Sequence, residues 1–434
     1  MRILCSLTNS FKNNFVKYSS RSSVKYFGTY LIFTLCSICI AQTKTDLSQL
    51  QDFETYLKEE VDSQRAAGIE VLINHKGENI WHKAFGYNSL QDNRILNKNS
   101  IYYIQSMTKP IMSVAIMQLV EQGKLSLEDT AANYYPPLAK LRVIKDSSTG
   151  INGPTVALKK PINIKELLTH TAGLSHGLEE NLFDQQLFKL MYNELFDPAE
   201  YEMLEERVDK LMEVPLIGQP GEQWYYSAAP DILALILQKI TGQSINTYLR
   251  ENIFNPLMMY DTGYNVVKNQ QKRIMQVHFN TEDGSMINSP VQVPPTGNTV
   301  YGGTHGIFSS TEDFLKFCQM ILNKGSLKDK RILEEETIDL MTRNQVGDLI
   351  GPSRGFGLGF GVLYNTEKDP SPANTGQLYW GGYFKTHFFI DPKEALIGII
   401  MTQKIPNTDE YIICLLYTSP SPRDLSTSRM PSSA

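Results

Sequence analysis

Ser106-Met107-Thr108-Lys109 is the segment of this chain with the clearest chemical potential. It lies between a run rich in strand-forming residues and an apolar stretch, Pro110 to Gln122, that favours a helix. A serine and a lysine three residues apart at the start of a helix share one face. A serine hydroxyl is a poor nucleophile until a base takes its proton, and a partly desolvated lysine amine can do so. The spacing therefore predicts a nucleophile, Ser106, with its base, Lys109.

Such a serine needs two further supports, a second proton-transfer group and amide donors for the developing oxyanion. Tyr226 is the candidate for the first, because it follows the Pro220-Gly221 turn and precedes a predicted helix, so that its phenol projects from a loop. The segment Trp380-Gly381-Gly382-Tyr383 is the candidate for the second, since glycines let a backbone approach a ligand closely. The N–H groups of Ser106 and Tyr383 would form the oxyanion hole.

The elements that must position these residues follow from the apolar patterns. Two strands joined at Lys76-Gly77 are predicted near the N-terminal end, and further strands near the C-terminal end, with helices between. The predicted strands are 69–74, 79–86, one led by 356–361, 378–391 and 395–402, and the predicted helices are 47–65, 163–169, 187–211, 230–242 and 313–323. The order predicts one sheet built from both ends of the chain, with a mostly helical second lobe and a cleft between them.

We expect the folded body of the chain to span 42–413. Its sheet lobe would take in about 47–105 and 355–413, and its helical lobe about 125–350. Of the 434 residues, 41% are hydrophobic, as is usual for a globular protein, and no run of 18 or more apolar residues follows residue 50. The formal charge of −5 argues against nucleic acid as a partner.

The two ends differ from this body. Residues 1–41 hold basic but no acidic residues and close on a short apolar stretch, the layout of a secretory signal peptide. We expect export to a periplasmic or extracellular space; the alternatives are an organelle transit peptide or an uncleaved membrane anchor. Residues 414–434 are rich in serine and proline, and we interpret them as a non-native, adaptor-derived tail. Only Cys318 of five cysteines lies in the body, where we expect a buried core position.

Several motifs stand in an order that resembles the penicillin-binding-protein-like serine hydrolases. This group includes class C β-lactamases, D-Ala-D-Ala carboxypeptidases and family VIII carboxylesterases. The resemblance covers about residues 53–403. It rests on Ser106–Pro110, Leu167–Leu174, Pro220–Asp231, Asn255–Gly263, Gly302–Gly306 and the strand at Trp380.

The resemblance implies a fold and a set of roles. The fold would be an antiparallel sheet flanked by helices plus a helical lobe, with the site at their interface. Ser106 would be the acyl-enzyme nucleophile, Lys109 its base and Tyr226 the group that passes a proton to the leaving group. Trp380, Gly381 and Gly382 would line the substrate cleft, and the Tyr383 N–H would complete the oxyanion hole. No metal or organic cofactor is implied.

Two departures from the family pattern indicate the substrate. Ala228 replaces the asparagine of the Tyr-x-Asn motif, and Trp380 replaces the cationic residue of the Lys-Thr-Gly strand. A fixed positive charge for a substrate carboxylate, which penicillins and D-Ala-D-Ala peptides carry, is therefore missing at that position. This favours small carboxylic esters; a β-lactam, a D-amino-acid peptide or silent binding of cell-wall peptides are the alternatives. Lys385-Thr386-His387 is rejected as a displaced Lys-Thr-Gly.

Simpler interpretations remain for individual residues. Tyr226 is alternatively a packed loop aromatic, and Trp380 an ordinary strand aromatic. We expect His170 to be structural and His305, in a glycine-rich turn, to line the cleft. The other histidines have no cysteine or acidic partners at ligand spacing, so no metal site is predicted. The sequence leaves the oligomeric state open.

Overall fold

The computed structural model describes residues 48–192, 201–290, 292–369 and 373–405, which form helices and strands in mixed order. The helices are α1 (Ser48–Asp62), α2 (Thr108–Glu121), α3 (Ile164–Leu168), α4 (Leu182–Met191), α5 (Leu204–Met212), α6 (Ala229–Thr241), α7 (Ile245–Leu249), α8 (Thr311–Leu322) and α9 (Glu335–Met341). The strands are β1 (Gly68–His75), β2 (Glu78–Ser89), β3 (Arg94–Ile95), β4 (Ile101–Tyr103), β5 (Arg142–Ile144), β6 (Thr155–Ala157), β7 (His278–Asn280), β8 (Met286–Asn288), β9 (Phe308–Ser310), β10 (Ser326–Leu327), β11 (Lys330–Arg331), β12 (Arg354–Phe356), β13 (Gly361–Leu363), β14 (Leu378–Gly382), β15 (Thr386–Asp391), β16 (Leu396–Met401) and β17 (Lys404–Ile405).

Strands from both ends of the chain pair in one sheet, which confirms the predicted fold class. Its order is β12-β13-β14-β15-β16-β1-β2-β3, and each neighbouring pair is antiparallel. The C-terminal strand β16 lies beside the N-terminal strand β1, with Val71 opposite Ile400. The turn at Lys76-Gly77 joins β1 to β2 as predicted, with Lys76 and Gly77 both at positive φ.

Helices cover both faces of this sheet, because the strand residues alternate between two apolar cores. Val71 and Ile73 belong to the core cluster that contains Phe53 of α1, whereas Leu72 belongs to the larger cluster on the other face. On that second face α8 contacts β1, β15 and β16, with the Phe314 and Phe388 rings 5.0 Å apart. Helix α8 therefore packs on the sheet, although its residues fall in the range predicted for the helical lobe.

Helix α2 runs through the middle of the molecule. Every residue from Thr108 to Leu119 is buried, and the helix contacts α6. An apolar sequence on all sides of a helix is what such a central position requires. Its first turn carries Lys109, so the lysine is attached to one of the most enclosed elements of the fold.

A short ladder joins the segment before Ser106 to the glycine-rich segment near residue 304. Strand β4 pairs with β9, placing Tyr103 opposite Phe308, and the Ile104 N–H donates to the Ile307 carbonyl at 3.0 Å. The two segments are about two hundred residues apart in sequence, yet this pairing fixes them side by side.

Three predicted elements were wrong. The segment 356–361, predicted to lead a single strand, holds the turn between β12 and β13, with Phe356 paired opposite Gly361. The strand predicted over 378–391 is a hairpin, because Tyr383–Lys385 form a turn in which Lys385 has a φ of 63°. The helix predicted over 187–211 is instead two helices: α4 begins earlier, at a cap made by Asn181, and ends before Tyr192, whose backbone is extended. The range 125–350 also contains the strand pairs β5–β6, β7–β8 and β10–β11, so it is less uniformly helical than predicted.

The predictions for 1–41 and 414–434 fall on residues outside those described, and export remains a prediction. Across the described ranges, none of the helices combines the length and the apolar character that crossing a membrane demands.

Candidate active site

Ser106 and Lys109 lie together at the start of α2. Ser106 is in a 3₁₀ turn, Gln105–Met107, that links β4 to the helix, and Gln105 enters it with a φ of 49°. A hydrogen bond of 3.0 Å joins Ser106 Oγ and Lys109 Nζ. Ser106 is half-buried, whereas the Lys109 side chain is 1% exposed. The hydroxyl is thus open to a ligand while its neighbouring amine is shielded from water.

The amine of Lys109 has a second fixed contact. Its Nζ donates to the Thr304 carbonyl oxygen at 3.1 Å. Gly303 allows this approach, because a Cβ there would lie 2.1 Å from the Pro230 carbonyl oxygen. With one N–H held by Thr304, the lone pair of an uncharged Lys109 amine can face the Ser106 hydroxyl.

Burial dominates the protonation of Lys109. It holds the pKa of the Lys109 amine well below its ordinary value, because a charged ammonium loses its hydration there. The Asp231 carboxylate raises this pKa and the Arg207 guanidinium lowers it, so the two ions oppose each other. An amine with a lowered pKa exists as a neutral base at a lower pH than a lysine in water.

Tyr226 stands on a loop that is tied down by the segment after α3. The Tyr225 N–H donates to the His170 carbonyl at 2.9 Å, and the Gly221 N–H donates to the Thr171 carbonyl at 2.7 Å. His170, with a φ of 59°, adds a hydrogen bond of 2.8 Å between its Nδ1 and Ser227 Oγ. These contacts agree with the structural role expected for His170.

The Tyr226 ring lies directly over the lysine. Lys109 Nζ is 4.5 Å from the ring centroid. Burial raises the pKa of the Tyr226 phenol well above its ordinary value, and polar side-chain atoms of Ser106 and Trp380 partly offset this rise. Tyr226 therefore keeps its proton at neutral pH, whereas Lys109 gives its proton up more readily than usual. The two groups are poised as a proton donor and a proton acceptor.

Strand β14 brings the Trp380–Gly382 segment against the Ser106 turn. A Cβ on Gly382 would lie 2.5 Å from the Ile104 carbonyl oxygen and 2.2 Å from Thr386 Oγ1, so only glycine fits. Tyr383 follows in the hairpin turn. The predicted close approach of a glycine backbone is thus present, and it puts the peptide that leads into Tyr383 beside the turn that holds Ser106.

Aromatic side chains form one wall of the site. The Trp380 ring is 5.3 Å from Tyr226 and 5.1 Å from Phe356, and Trp224 stacks on Tyr226 at 6.2 Å. Trp224, Tyr226 and Trp380 are each partly exposed. The wall carries no charge, and the indole Nε1 of Trp224 is buried with no hydrogen-bond partner among the described residues.

His305 was predicted to line the cleft, but it is buried in the structure. Its exposure is 6%, and its ring is held between Arg207 and Tyr103. The Arg207 guanidinium donates to Nε2 at 2.8 Å, so the ring proton lies on Nδ1, 3.2 Å from the Tyr103 hydroxyl oxygen. His305 follows Thr304, and therefore belongs to the support of the lysine rather than to an open surface.

Sequence reasoning missed Arg207 and Asp231. A signal existed for Arg207: it shares the buried side of α5 with Leu204, Val208 and Leu211, where a charged residue is unexpected. Asp231 lies inside the motif around Tyr226, in the first turn of α6, but its partner could not be read from the sequence.

Other candidate residues stay outside the site. Cys318 is fully buried in α8, as expected, and burial raises the pKa of its thiol. In the part of the chain that the structure describes, no cluster of three or more histidine, cysteine or acidic side chains is placed to hold a metal ion.

Comparison with known proteins decides the family. The family model described as Beta-lactamase matches residues 53–414. The chain belongs to the beta-lactamase family. This confirms the resemblance predicted from the ordered motifs, and it makes the protein an enzyme of the serine hydrolase and acyltransferase type.

The chain is similar to several known proteins over most of its length. Protein Rv1367c of Mycobacterium tuberculosis is 26% identical over 390 residues, covering 86% of this chain and 94% of the relative. Esterase EstB of Burkholderia gladioli is 26% identical over 363 residues, covering 78% and 86%. The solved structure of EstCE1, a hydrolase with promiscuous acyltransferase activity, has a TM-score of 0.70 at 23% identity and covers 88% of this chain and 98% of that one. At that identity the likeness shows the fold alone.

Proposed function

We propose that this protein hydrolyses small, uncharged carboxylic esters through an acyl-enzyme on Ser106. The observation that carries the proposal is the hydrogen bond of 3.0 Å between Ser106 Oγ and Lys109 Nζ, with Tyr226 over the same amine. The lowered pKa of Lys109 suits it to act as the base, and the raised pKa of Tyr226 suits it to act as the acid.

The reaction then follows in two halves. Lys109 accepts the Ser106 proton as Oγ attacks the ester carbonyl, and the oxyanion is stabilised by the N–H groups of Ser106 and Tyr383. Tyr226 donates its proton to the departing alkoxide and is reprotonated from the Lys109 ammonium. In the second half, the same base and acid assist water: a proton of the water is accepted as its oxygen attacks the acyl-enzyme, and a proton is returned to Ser106 Oγ as the carboxylic acid leaves.

The chemistry of the wall supports an ester substrate. Trp380 presents an apolar ring where a cation would be needed to bind a substrate carboxylate, and Ala228 offers no amide to a peptide. Apolar pockets with few polar groups suit uncharged ligands. The relative named Esterase EstB fits this substrate class.

Hydrolysis of p-nitrophenyl butyrate by the full chain tests the proposal, with Ser106→Ala alongside and nitrocefin as a second substrate. Ester turnover that the substitution abolishes, with little nitrocefin cleavage, supports it. Efficient nitrocefin cleavage, or release of D-alanine from a D-Ala-D-Ala peptide, would place the substrate among carboxylate-bearing amides instead. A folded protein that neither turns over nor reacts with a fluorophosphonate at Ser106 would be a silent binding protein.

A further inference from the structure

A buried ion pair links helices α5 and α6 beneath the site. Arg207 Nε lies 3.2 Å from Asp231 Oδ2, and the two side chains are 1% and 2% exposed. Removing two such ions from water costs several kcal/mol each, and a buried pair often stabilises a fold no better than apolar side chains would. The two facing atoms are not aligned as a hydrogen bond. Stability alone is therefore a poor reason for this pair.

The contacts of the pair lead to the lysine. Asp231 Oδ1 accepts the Thr304 N–H at 2.8 Å, and the carbonyl of the same Thr304 accepts Lys109 Nζ at 3.1 Å. Arg207 donates to Nε2 of the next residue, His305, at 2.8 Å. Each ion thus holds one residue of the segment that contacts Lys109. Gly302 gives the carboxylate its room, since a Cβ there would lie 2.8 Å from Asp231 Oδ1.

We propose that Arg207 and Asp231 are positioning residues for Lys109: Asp231 fixes the Thr304 carbonyl that orients the amine, and Arg207 cancels the charge that Asp231 would otherwise impose on it. The inference rests on the proposed role of Lys109 as the base. Neither ion touches the substrate in this arrangement. Asp231 acts on the lysine through the Thr304 peptide, and both ions act on it through their electric fields.

The fields of the two ions have opposite effects on the lysine. Asp231 favours the charged ammonium and Arg207 disfavours it. The other titratable groups that face Lys109 are the Tyr226 phenol and three buried histidines, His170, His176 and His305. Burial holds the pKa values of the three histidines well below the ordinary value, so these rings are neutral near pH 7, and the raised pKa of Tyr226 keeps its phenol neutral as well. Arg207 and Asp231 are therefore the charges that set the balance.

Two substitutions separate this role from simple structural support. Asp231→Asn keeps the size and the acceptor for the Thr304 N–H but removes the negative charge. Arg207→Gln removes the positive charge. We expect the acid limb of the kcat/KM profile for p-nitrophenyl butyrate to move down by about one pH unit in the first variant and up by about one unit in the second. KM should change by no more than about twofold.

A direct titration of Lys109 keeps this test independent of turnover. In protein labelled with ¹³C-lysine, the Lys109 ε-carbon is assigned by its loss in Lys109→Arg, and its midpoint should move in the same opposite directions. The double variant should return it to within about 0.3 units of the parent. Loss of structure alone would lower activity in both variants without opposite shifts.

The outcomes are distinct. Opposite shifts of the lysine midpoint support the inference even where ester turnover is absent, which would count against the proposed function only. Folded variants whose lysine midpoints do not shift, or shift in the same direction, overturn the inference. Ester turnover that depends on Ser106 would still support the proposed function in that case. If Arg207→Gln does not fold, Asp231→Asn alone decides, because a lysine midpoint that does not fall contradicts the proposed charge balance.

Discussion

The close approach of β14 to the Ser106 turn makes Gly382→Ala the sharpest perturbation of the proposed oxyanion hole. The new Cβ would lie 2.5 Å from the Ile104 carbonyl oxygen, whereas ordinary contacts begin at 3.4 Å. Thr386 Oγ1 can rotate away, but Ile104 O belongs to the backbone that leads into Ser106. Strand and turn must therefore separate by nearly an ångström.

A displacement of this size exceeds what an oxyanion hole tolerates, because its donors act over a narrow range of about 2.7–3.1 Å. Loss of one donor lowers kcat by about 10²–10³-fold. Overpacking of this kind also lowers the free energy of unfolding by about 1–3 kcal/mol. We expect both effects in Gly382→Ala, with the loss of kcat exceeding any change in KM.

The assay compares kcat and KM for p-nitrophenyl butyrate with the midpoint of thermal unfolding. Gly263→Ala is the matched control, because the nearest atom to its Cβ, Asn265 O, is 3.9 Å away, and it should match the parent in both measurements. A folded Gly382→Ala protein with the parent's kcat would refute the reasoning, since β14 could then not supply the oxyanion donor.

Three further predictions concern proton transfer, substrate choice and acid stability. Tyr226→Phe keeps the ring contacts and removes the phenolic proton, so kcat should fall by about 10²–10⁴-fold with little change in the midpoint of thermal unfolding. An unchanged kcat would exclude Tyr226 as the proton donor. Trp380→Lys introduces a cation into the aromatic wall, so kcat/KM for nitrocefin should rise at least about tenfold relative to kcat/KM for p-nitrophenyl butyrate. A ratio that does not rise would contradict the interpretation that Trp380 disfavours substrates with a carboxylate. Burial lowers the pKa of His387 to about 3 and that of His278 to about 4. The unfolded chain thus binds protons on these rings first, and the free energy of unfolding should fall as pH drops from about 6.5, by about 1.4 kcal/mol per unit for each ring. Denaturant titrations of the parent and of His387→Leu between pH 7 and about pH 4 should show a shallower fall in the variant, and equal slopes would contradict this assignment.

The sequence was sufficient for elements whose signals are local. The turn at Lys76-Gly77, the helix around α6 and the pairing of strands from both chain ends were all predicted, because glycine punctuation and apolar periodicity mark them. The hairpin at Tyr383–Lys385 was missed, although the Lys385 N–H closes its turn on the Gly382 carbonyl at 3.0 Å, because Gly381-Gly382 was interpreted as a close approach to a ligand and not as a turn signal. The packing of α8 on the sheet could not be predicted either, because it depends on contacts with β1, β15 and β16 that no local sequence pattern indicates.

The same division applies to the site. Ser106 and Lys109 are three residues apart, and helical geometry alone brings them together. The support of the lysine depends on contacts between distant segments: Arg207 reaches His305, and Asp231 reaches Thr304, only after α5, α6 and the β4–β9 ladder have packed. Sequence spacing holds no information about such contacts, and so His305 was expected in the cleft lining rather than in the buried network.

The central claim is that Ser106 is the nucleophile, and covalent labelling tests it most directly. The full chain is treated with a fluorophosphonate, and the modified peptide is identified by mass spectrometry, with Ser106→Ala and Ser113→Ala compared. Ser113 lies on α2, the helix that follows the Ser106 turn, but is buried, which makes it the matched control. We expect one label per chain, on Ser106, which is lost in Ser106→Ala and retained in Ser113→Ala. Labelling that persists in a folded Ser106→Ala protein, or that maps to another residue, would contradict it.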